Sequence, residues 1–146
     1  MVTPDIVLTD QPDPSAREVI LAGLLAFNVA QAGPHAARPL AVLITDPDSG
    51  QVVGGLWGRT AWRWLFVDLL FVPEPLRGSG LGASLMRQAE AEAIRRGCLG
   101  AWLDTFSFQA RGFYEGLGYT MFGALSEYPP GHDRFFMQKP LVPPAV

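Results

Sequence analysis

Arg77-Gly78-Ser79-Gly80-Leu81-Gly82 sets one cation before three glycines at alternate positions. The loop follows a run rich in β-formers, residues 65–72, with Pro73 and Pro75 between, and it opens a helical pattern reaching Arg96. The first N–H groups of a helix have no partner within it, and the aligned peptide dipoles place partial positive charge there. Glycines remove the Cβ atoms that would keep an anion from those amides, and Arg77 adds a multidentate cation. Phosphate binding is the chemistry these residue types could do; a glycine turn with no ligand is the plain alternative.

The choice of phosphate ligand is narrowed by what surrounds the loop. Gly78-Ser79-Gly80-Leu81-Gly82-Ala83 also fits the dinucleotide pattern G-x-G-x-x-G/A, with Asp104 as a ribose-binding acid. In that fold the glycines follow the strand directly, whereas residues 73–77 intervene here and hairpin-like strands come first. A Walker loop is excluded, because no Lys-Ser/Thr pair follows the last glycine.

The elements that must position this loop can be read in order. Residues 6–9 suggest a short first strand. Asp13-Pro14 has the form of an N-cap followed by Pro at the first helical position, and the spacing of Val19, Ile20, Leu24 and Phe27 predicts a helix over 15–31 ended by Gly33-Pro34. Strands over 40–45 and 51–57 flank Asp46-Pro47-Asp48-Ser49-Gly50, a hairpin turn. A turn at 58–60 leads into a strand over 62–72. The helix over 79–96 places Leu81, Leu85, Ala89 and Ala93 on one small face, with Glu92 and Arg96 paired on the wet side and Gly97 as the stop. A strand over 99–106, parallel to the one before the helix, completes a right-handed βαβ unit. A short helix over 109–117 and closing strands over 119–125 and 134–139 follow, and Pro143-Pro144 argues against structure in the tail.

Composition bounds the class. The 146 residues suit one domain with a single core, and 49% of them are apolar. A net charge of −3 argues against a nucleic-acid partner. One cysteine makes no internal disulfide, and His35 and His132 alone form no metal cluster. The apolar stretch 19–30 is too short to span a bilayer, and the first ten residues carry no Lys or Arg, so neither membrane nor signal peptide is expected and a reducing cytoplasm is.

Arg77, Gly80 and Gly82, taken with Ala110 and with Phe113-Tyr114-Glu115-Gly116-Leu117-Gly118-Tyr119, resemble the GNAT superfamily of acyl-CoA N-acyltransferases. Its acyl-CoA signature Q/R-x-x-G-x-G/A is filled by Arg77, Gly80 and Gly82. Its second signature, Asn-x-x-Ala-x-x-x-Tyr ending in Gly-Phe or Gly-Tyr, is matched by Ala110, Tyr114, Gly118 and Tyr119, with Ser107 where Asn is usual. The resemblance covers roughly residues 52–141, its core 65–119. It implies an α/β GNAT fold: one domain over 1–146, with a mixed, mostly antiparallel sheet of about six or seven strands, a central βαβ unit and flanking helices. It also implies acetyl-CoA as co-substrate with no metal, a small-molecule or peptide amine as acceptor, and a homodimer.

In such enzymes the third and fourth strand positions splay apart, so the resemblance assigns backbone amides near Leu70, Phe71 and Val72 to the pantetheine arm and thioester oxygen, and residues 77–82 to the pyrophosphate. An amine of Lys type has a pKa of ~10.4, so a base or a water chain must take its proton. Asp68 is the candidate, being the one acid in an apolar strand and on the face of Leu70 and Val72 by period-two alternation; a structural hydrogen bond or a substrate cation would also account for it. Tyr114 stands at the family's general-acid position, and a phenol of ~10 against a thiol of ~8.5 leaves the proton between groups of similar affinity. Core packing is its alternative. With Ser107 in place of Asn, Gln109 is the substitute.

The remaining candidates read more blandly. Cys98 opens a strand, while ligands of such sheets gather at the carboxyl ends, so burial is expected. Trp57, Trp62, Trp64 and Trp102 could line an acceptor pocket, but core is the default. Glu127, Tyr128, His132 and Asp133 form a loop that could offer an acidic rim to a cationic amine or be simply solvated; Glu74 is expected to be solvated. The rival functions are an acyl-CoA sensor without catalysis, which would not need Tyr114 or Asp68, and a dinucleotide-binding protein.

Overall fold

The computed structural model describes residues 2–141, in two compact units, Met1–His35 and Ala36–Val146. In the first unit, α1 spans Pro14–Ala32; Asp13 is its N-cap, its Oδ1 accepting a hydrogen bond from Ser15 N at 2.9 Å. Val19, Ile20, Leu24 and Phe27 of its stripe are exposed. The expected strand over residues 6–9 is absent. Four residues between Pro4 and Pro12 need a ladder partner to be held as a strand, and no strand among the described residues pairs with them.

The second unit is a six-stranded sheet in the order β1-β2-β3-β4-β6-β5. Its strands are β1 Arg38–Thr45, β2 Val52–Ala61, β3 Trp64–Phe71, β4 Gly100–Phe106, β5 Thr120–Ser126 and β6 Asp133–Pro140. Only β3 and β4 pair in parallel; the helix between them, α2 Leu81–Arg95, is the crossover. The six-residue α3, Arg111–Gly116, follows β4.

The turn between β2 and β3 is not at residues 58–60, through which β2 continues, but at Trp62-Arg63. Both have positive φ (46° and 63°), the handedness that a two-residue hairpin requires, and the strand twist is satisfied without glycine. Gly58 instead lets two strands approach, since a Cβ there would lie 2.3 Å from the carbonyl oxygen of Phe66. It sits beside a bulge. Trp57 pairs with Leu69 but Gly58 with Val67, so Asp68 is an extra residue with no partner on β2.

The core lies between the sheet and α2. Leu56, Leu65, Val67, Ala101, Leu103 and Met137 meet Leu85, Met86, Ala89 and Ala93, and the alanines let the helix approach closely. Trp57, Trp62 and Trp64 are exposed rather than in this core, and Trp102 is half-buried against Phe66, ring centroids 4.3 Å apart. They belong to strand rows or turns away from α2. Arg96 corrects another expectation: its Nε meets Glu92 at 2.9 Å, but its side chain is only 13% exposed. Its Nη1 donates to the Pro39 carbonyl at 3.1 Å and to Thr60 Oγ1 at 3.0 Å, tying the end of α2 to the sheet.

Because the crowding atom at Gly58 is backbone, Gly58→Ala should lower stability by about 1–3 kcal/mol. An unchanged urea midpoint would show that the bulge absorbs the methyl group.

Candidate active site

The parallel ladder between β3 and β4 runs from Trp64↔Gly100 to Val67↔Leu103 and stops there, while β3 remains paired to β2 as far as Phe71. Beyond that point the two strands border a cavity of about 990 Å³. Its walls are residues 67–72 of β3 and the segment after it, the glycine loop with the start of α2, residues 103–106 of β4, and Gln109, Ala110, Phe113 and Tyr114.

Leu70, Phe71, Val72, Arg77, Gly78, Gly80, Leu81 and Gly82 all line this cavity, with Asp68 and Tyr114. Gly80 is the N-cap of α2 at φ 83°, and nothing lies within 4 Å of where its Cβ or that of Gly78 would be. The room a phosphate would need is there. Arg77 is held by its Nε, which donates to the Val72 carbonyl at 2.8 Å, and its guanidinium lies 5.9 Å from the centre of the Phe71 ring. The other N–H groups of its guanidinium make no hydrogen bond among the described residues, while its backbone N–H donates to the Glu74 carbonyl at 3.1 Å.

Ser79 and Ser107 are not in the lining. Ser79 Oγ donates to the Leu76 carbonyl at 2.6 Å and so shapes the loop. Ser107 Oγ accepts from Asp133 N at 3.0 Å, joining the end of β4 to β6. The ordering of the turn into α3 falls to Gln109, whose Oε1 accepts from Phe106 N at 2.9 Å and from Thr105 Oγ1 at 3.2 Å.

Tyr114 is 8% exposed, and its hydroxyl makes no hydrogen bond within the described residues. Burial, then the charge of Asp104, pushes its pKa up to about 12. The phenol is therefore protonated at neutral pH, and its proton is held more tightly than that of a free phenol. The ring is held by edge contacts with Phe113 and Tyr119, at centroid distances of 5.1 and 6.1 Å. Tyr119 is itself pinned: its hydroxyl donates to Glu90 Oε2 at 2.8 Å, and Lys139 Nζ donates to Glu90 Oε1 at 2.7 Å. Burial, followed by the charge and hydrogen bond of Glu90, drives the Tyr119 phenol strongly upward. Glu90 is not among the residues that the sequence singles out, although it is the acid within an otherwise apolar helix face.

Asp68, in the bulge, lines the cavity and is exposed. The bulge interrupts the alternation at Asp68, so period-two counting does not carry across it to Leu70 and Val72, although all three line the cavity. Asp104 is the second acid of the lining, half-buried, its Oδ1 accepting from Arg134 Nε at 2.9 Å. An acid inside the apolar run of β4 is the same signal that singles out Asp68, yet in the sequence Asp104 suggests only a ribose contact. The loop residues Glu127, Tyr128, His132 and Asp133 stay outside the lining. Cys98 is buried away from it, its thiol pushed up by burial, as expected of a packing residue. Among the described residues no group of His, Cys, Asp and Glu could hold a metal ion, and no helix is long and apolar enough to cross a membrane.

Residues 13–119 match the acetyltransferase (GNAT) family. The chain is 41% identical over 135 residues to Acetyltransferase Atu2258 of Agrobacterium fabrum, covering 92% of this chain and 98% of that one. It is 44% identical over 108 residues to blasticidin-S acetyltransferase of Streptomyces morookaense, covering 72% and 79%. A crystal structure from Agrobacterium tumefaciens superposes with a TM-score of 0.88 at 40% identity, over 94% of this chain and 99% of that one.

Phenols whose folded pKa is raised contribute stability that is complete below the unfolded value of ~10 and is lost as pH rises through the folded one. Tyr114 and Tyr119 should thus give no phenolate absorbance in the native protein near pH ~10.5, and Tyr114→Phe should leave the native titration to that pH unchanged while removing one tyrosine from the denatured curve. A native curve that loses a tyrosine in the variant would contradict this environment.

Proposed function

The chain belongs to the GNAT acetyltransferase family, and from that premise we propose that it transfers an acetyl group from acetyl-CoA directly to a primary amine bound in the same cavity. The observation that carries this reading is the ordering of charge along the lining. At one end lie Arg77, the open glycines and the start of α2; at the other, where β3 and β4 part, lie Asp68 and Asp104. The cationic end suits a pyrophosphate and the acidic end a protonated amine.

Acetyl-CoA would supply a thioester carbonyl and a thiolate leaving group. The residues present fit it. Arg77 and residues 78–82 would hold the pyrophosphate, and the edge of β3 at Leu70, Phe71 and Val72, freed from β4, would offer N–H groups to the pantetheine arm and to the carbonyl oxygen as it gains charge. Asp68 would bind the ammonium and take a proton from it, directly or through water, so that the nitrogen lone pair can attack. Tyr114, with its hydroxyl open to the cavity and its phenol at about 12, would act on the departing sulfur mainly by donating a hydrogen bond. Full protonation then draws on the proton released by the amine. Strands β1 and β5 are sheet edges, which leaves room for the homodimer that is part of this reading.

Calorimetric titration with acetyl-CoA should show saturable binding, weakened about tenfold or more by Arg77→Ala, with NAD binding far more weakly. Thiol release measured with blasticidin S as first acceptor, chosen from the Streptomyces relative, should fall at least tenfold in kcat for Tyr114→Phe with acetyl-CoA affinity retained. Tight acetyl-CoA binding with turnover indifferent to Tyr114 would remove its assigned role, and binding with no transfer to any amine would favour an acyl-CoA sensor.

A further inference from the structure

Two of the three glycines in the loop are open, and the third is not. Nothing lies within 4 Å of where a Cβ would stand at Gly78 or Gly80, whereas at Gly82 it would lie 3.2 Å from Phe113 Cζ, 3.5 Å from Phe113 Cε1 and 4.0 Å from Val72 Cγ2. Non-bonded carbons settle at about 3.5–4.0 Å, so even one methyl group there would press on the ring. The side chain missing at Gly82 makes room for Phe113.

Gly82 is the second residue of α2, and Val72 follows the end of β3 that β4 has left. Phe113 therefore stands where α3 meets the start of α2, and its ring meets the Tyr114 ring edge-on at a centroid distance of 5.1 Å. Both side chains line the cavity.

α3 depends on such a contact. Two of its six residues are glycine, and its N-cap, Ala110, supplies no side-chain hydrogen bond. Glycine disfavours a helix relative to alanine, and a helix this short does not persist without tertiary packing. The C-terminal end is held, because Leu117 packs against the core and the Tyr119 N–H donates to the Tyr114 carbonyl at 3.0 Å. Near the other end, Arg111 lies over the Phe135 ring at 4.9 Å, but its side chain is 42% exposed. Phe113, partly buried against the core, supplies the firmer anchor there.

We infer that Phe113 is a positioning residue for Tyr114 and that Gly82 is its seat: the ring, lodged against Gly82, fixes the Tyr114 hydroxyl relative to the amides of α2 and β3 that would hold acetyl-CoA. This rests on the acyl-transfer reading and adds the device that aims its hydrogen-bond donor. Gly82 thus differs in task from Gly78 and Gly80, although one spacing joins all three.

The test is a double-mutant cycle on the full chain. Gly82→Val should displace the ring and lower kcat for thiol release at least about fivefold, while acetyl-CoA affinity measured by calorimetry changes by less than about threefold. Phe113→Leu, which lacks the ring carbons that meet Gly82, should lower kcat in the same way. Because both changes act on one contact, the double variant should lose no more kcat than the worse single one, and its urea midpoint should fall by less than the sum of the single shifts. If Gly82→Val does not fold, Gly82→Ala carries the cycle, with the same signs and losses of about twofold. Losses that multiply in the double variant, additive midpoint shifts, or a Gly82 variant that weakens acetyl-CoA binding with kcat unchanged would each overturn the inference. A wild-type chain that binds no acetyl-CoA would sink the acyl-transfer reading and this inference with it, whereas normal wild-type turnover with independent variants would sink this inference alone.

Discussion

The site depends on the point at which β3 and β4 cease to pair. A parallel ladder satisfies the facing backbone groups of both strands, and after Val67↔Leu103 those groups have no ladder partner. The bulge at Asp68 marks that point: one extra residue bends β3 and increases its twist while the β2 side stays paired. Gly58, opposite the bulge, has no room for a side chain, so the departure of β3 is built into two strands at once. An open strand edge inside a protein calls for a partner of extended, amide-bearing form, and a pantetheine arm has that form.

The rest of the unit is arranged to keep this edge open. Gln109 closes the turn after β4 with its own Oε1, and Ser107 joins the same turn to β6, so the chain enters α3 at a fixed angle and brings Tyr114 to the gap. Tyr119, Glu90 and Lys139 then lock the segment after α3 to α2. The apolar surroundings that hold Tyr114 are also what raise its phenol, so good packing and proton donation pull in opposite directions. In the proposed mechanism Tyr114 would therefore act by donating a hydrogen bond to sulfur, which burial does not penalise.

Much of this is legible in the residues. Periodicity locates α2, β3 and β4, and the glycine spacing with Arg77 locates the cationic end of the cavity, because helical and strand periods and glycine loops are local signals. The bulge is not legible: Asp68 sits within an unbroken run of β-formers, and only the partner strand's register reveals the extra residue. Nor is the Trp62-Arg63 turn, where strand twist overrides the preference for glycine, so that Gly58 points to the wrong place. Asp104 and Arg134 meet across a β4–β6 pairing 30 residues apart in sequence, which no local pattern encodes.

In the proposed mechanism one extended ligand would pair with both the freed edge of β3 and the open start of α2. Amide hydrogen exchange, resolved by residue and measured with and without acetyl-CoA, tests that pairing directly. Residues 68–72 and 78–82 should exchange rapidly in the free protein at the groups facing the cavity and slow at least about tenfold together on saturation. Unchanged exchange in both segments, or protection confined to the β5–β6 hairpin, would contradict it.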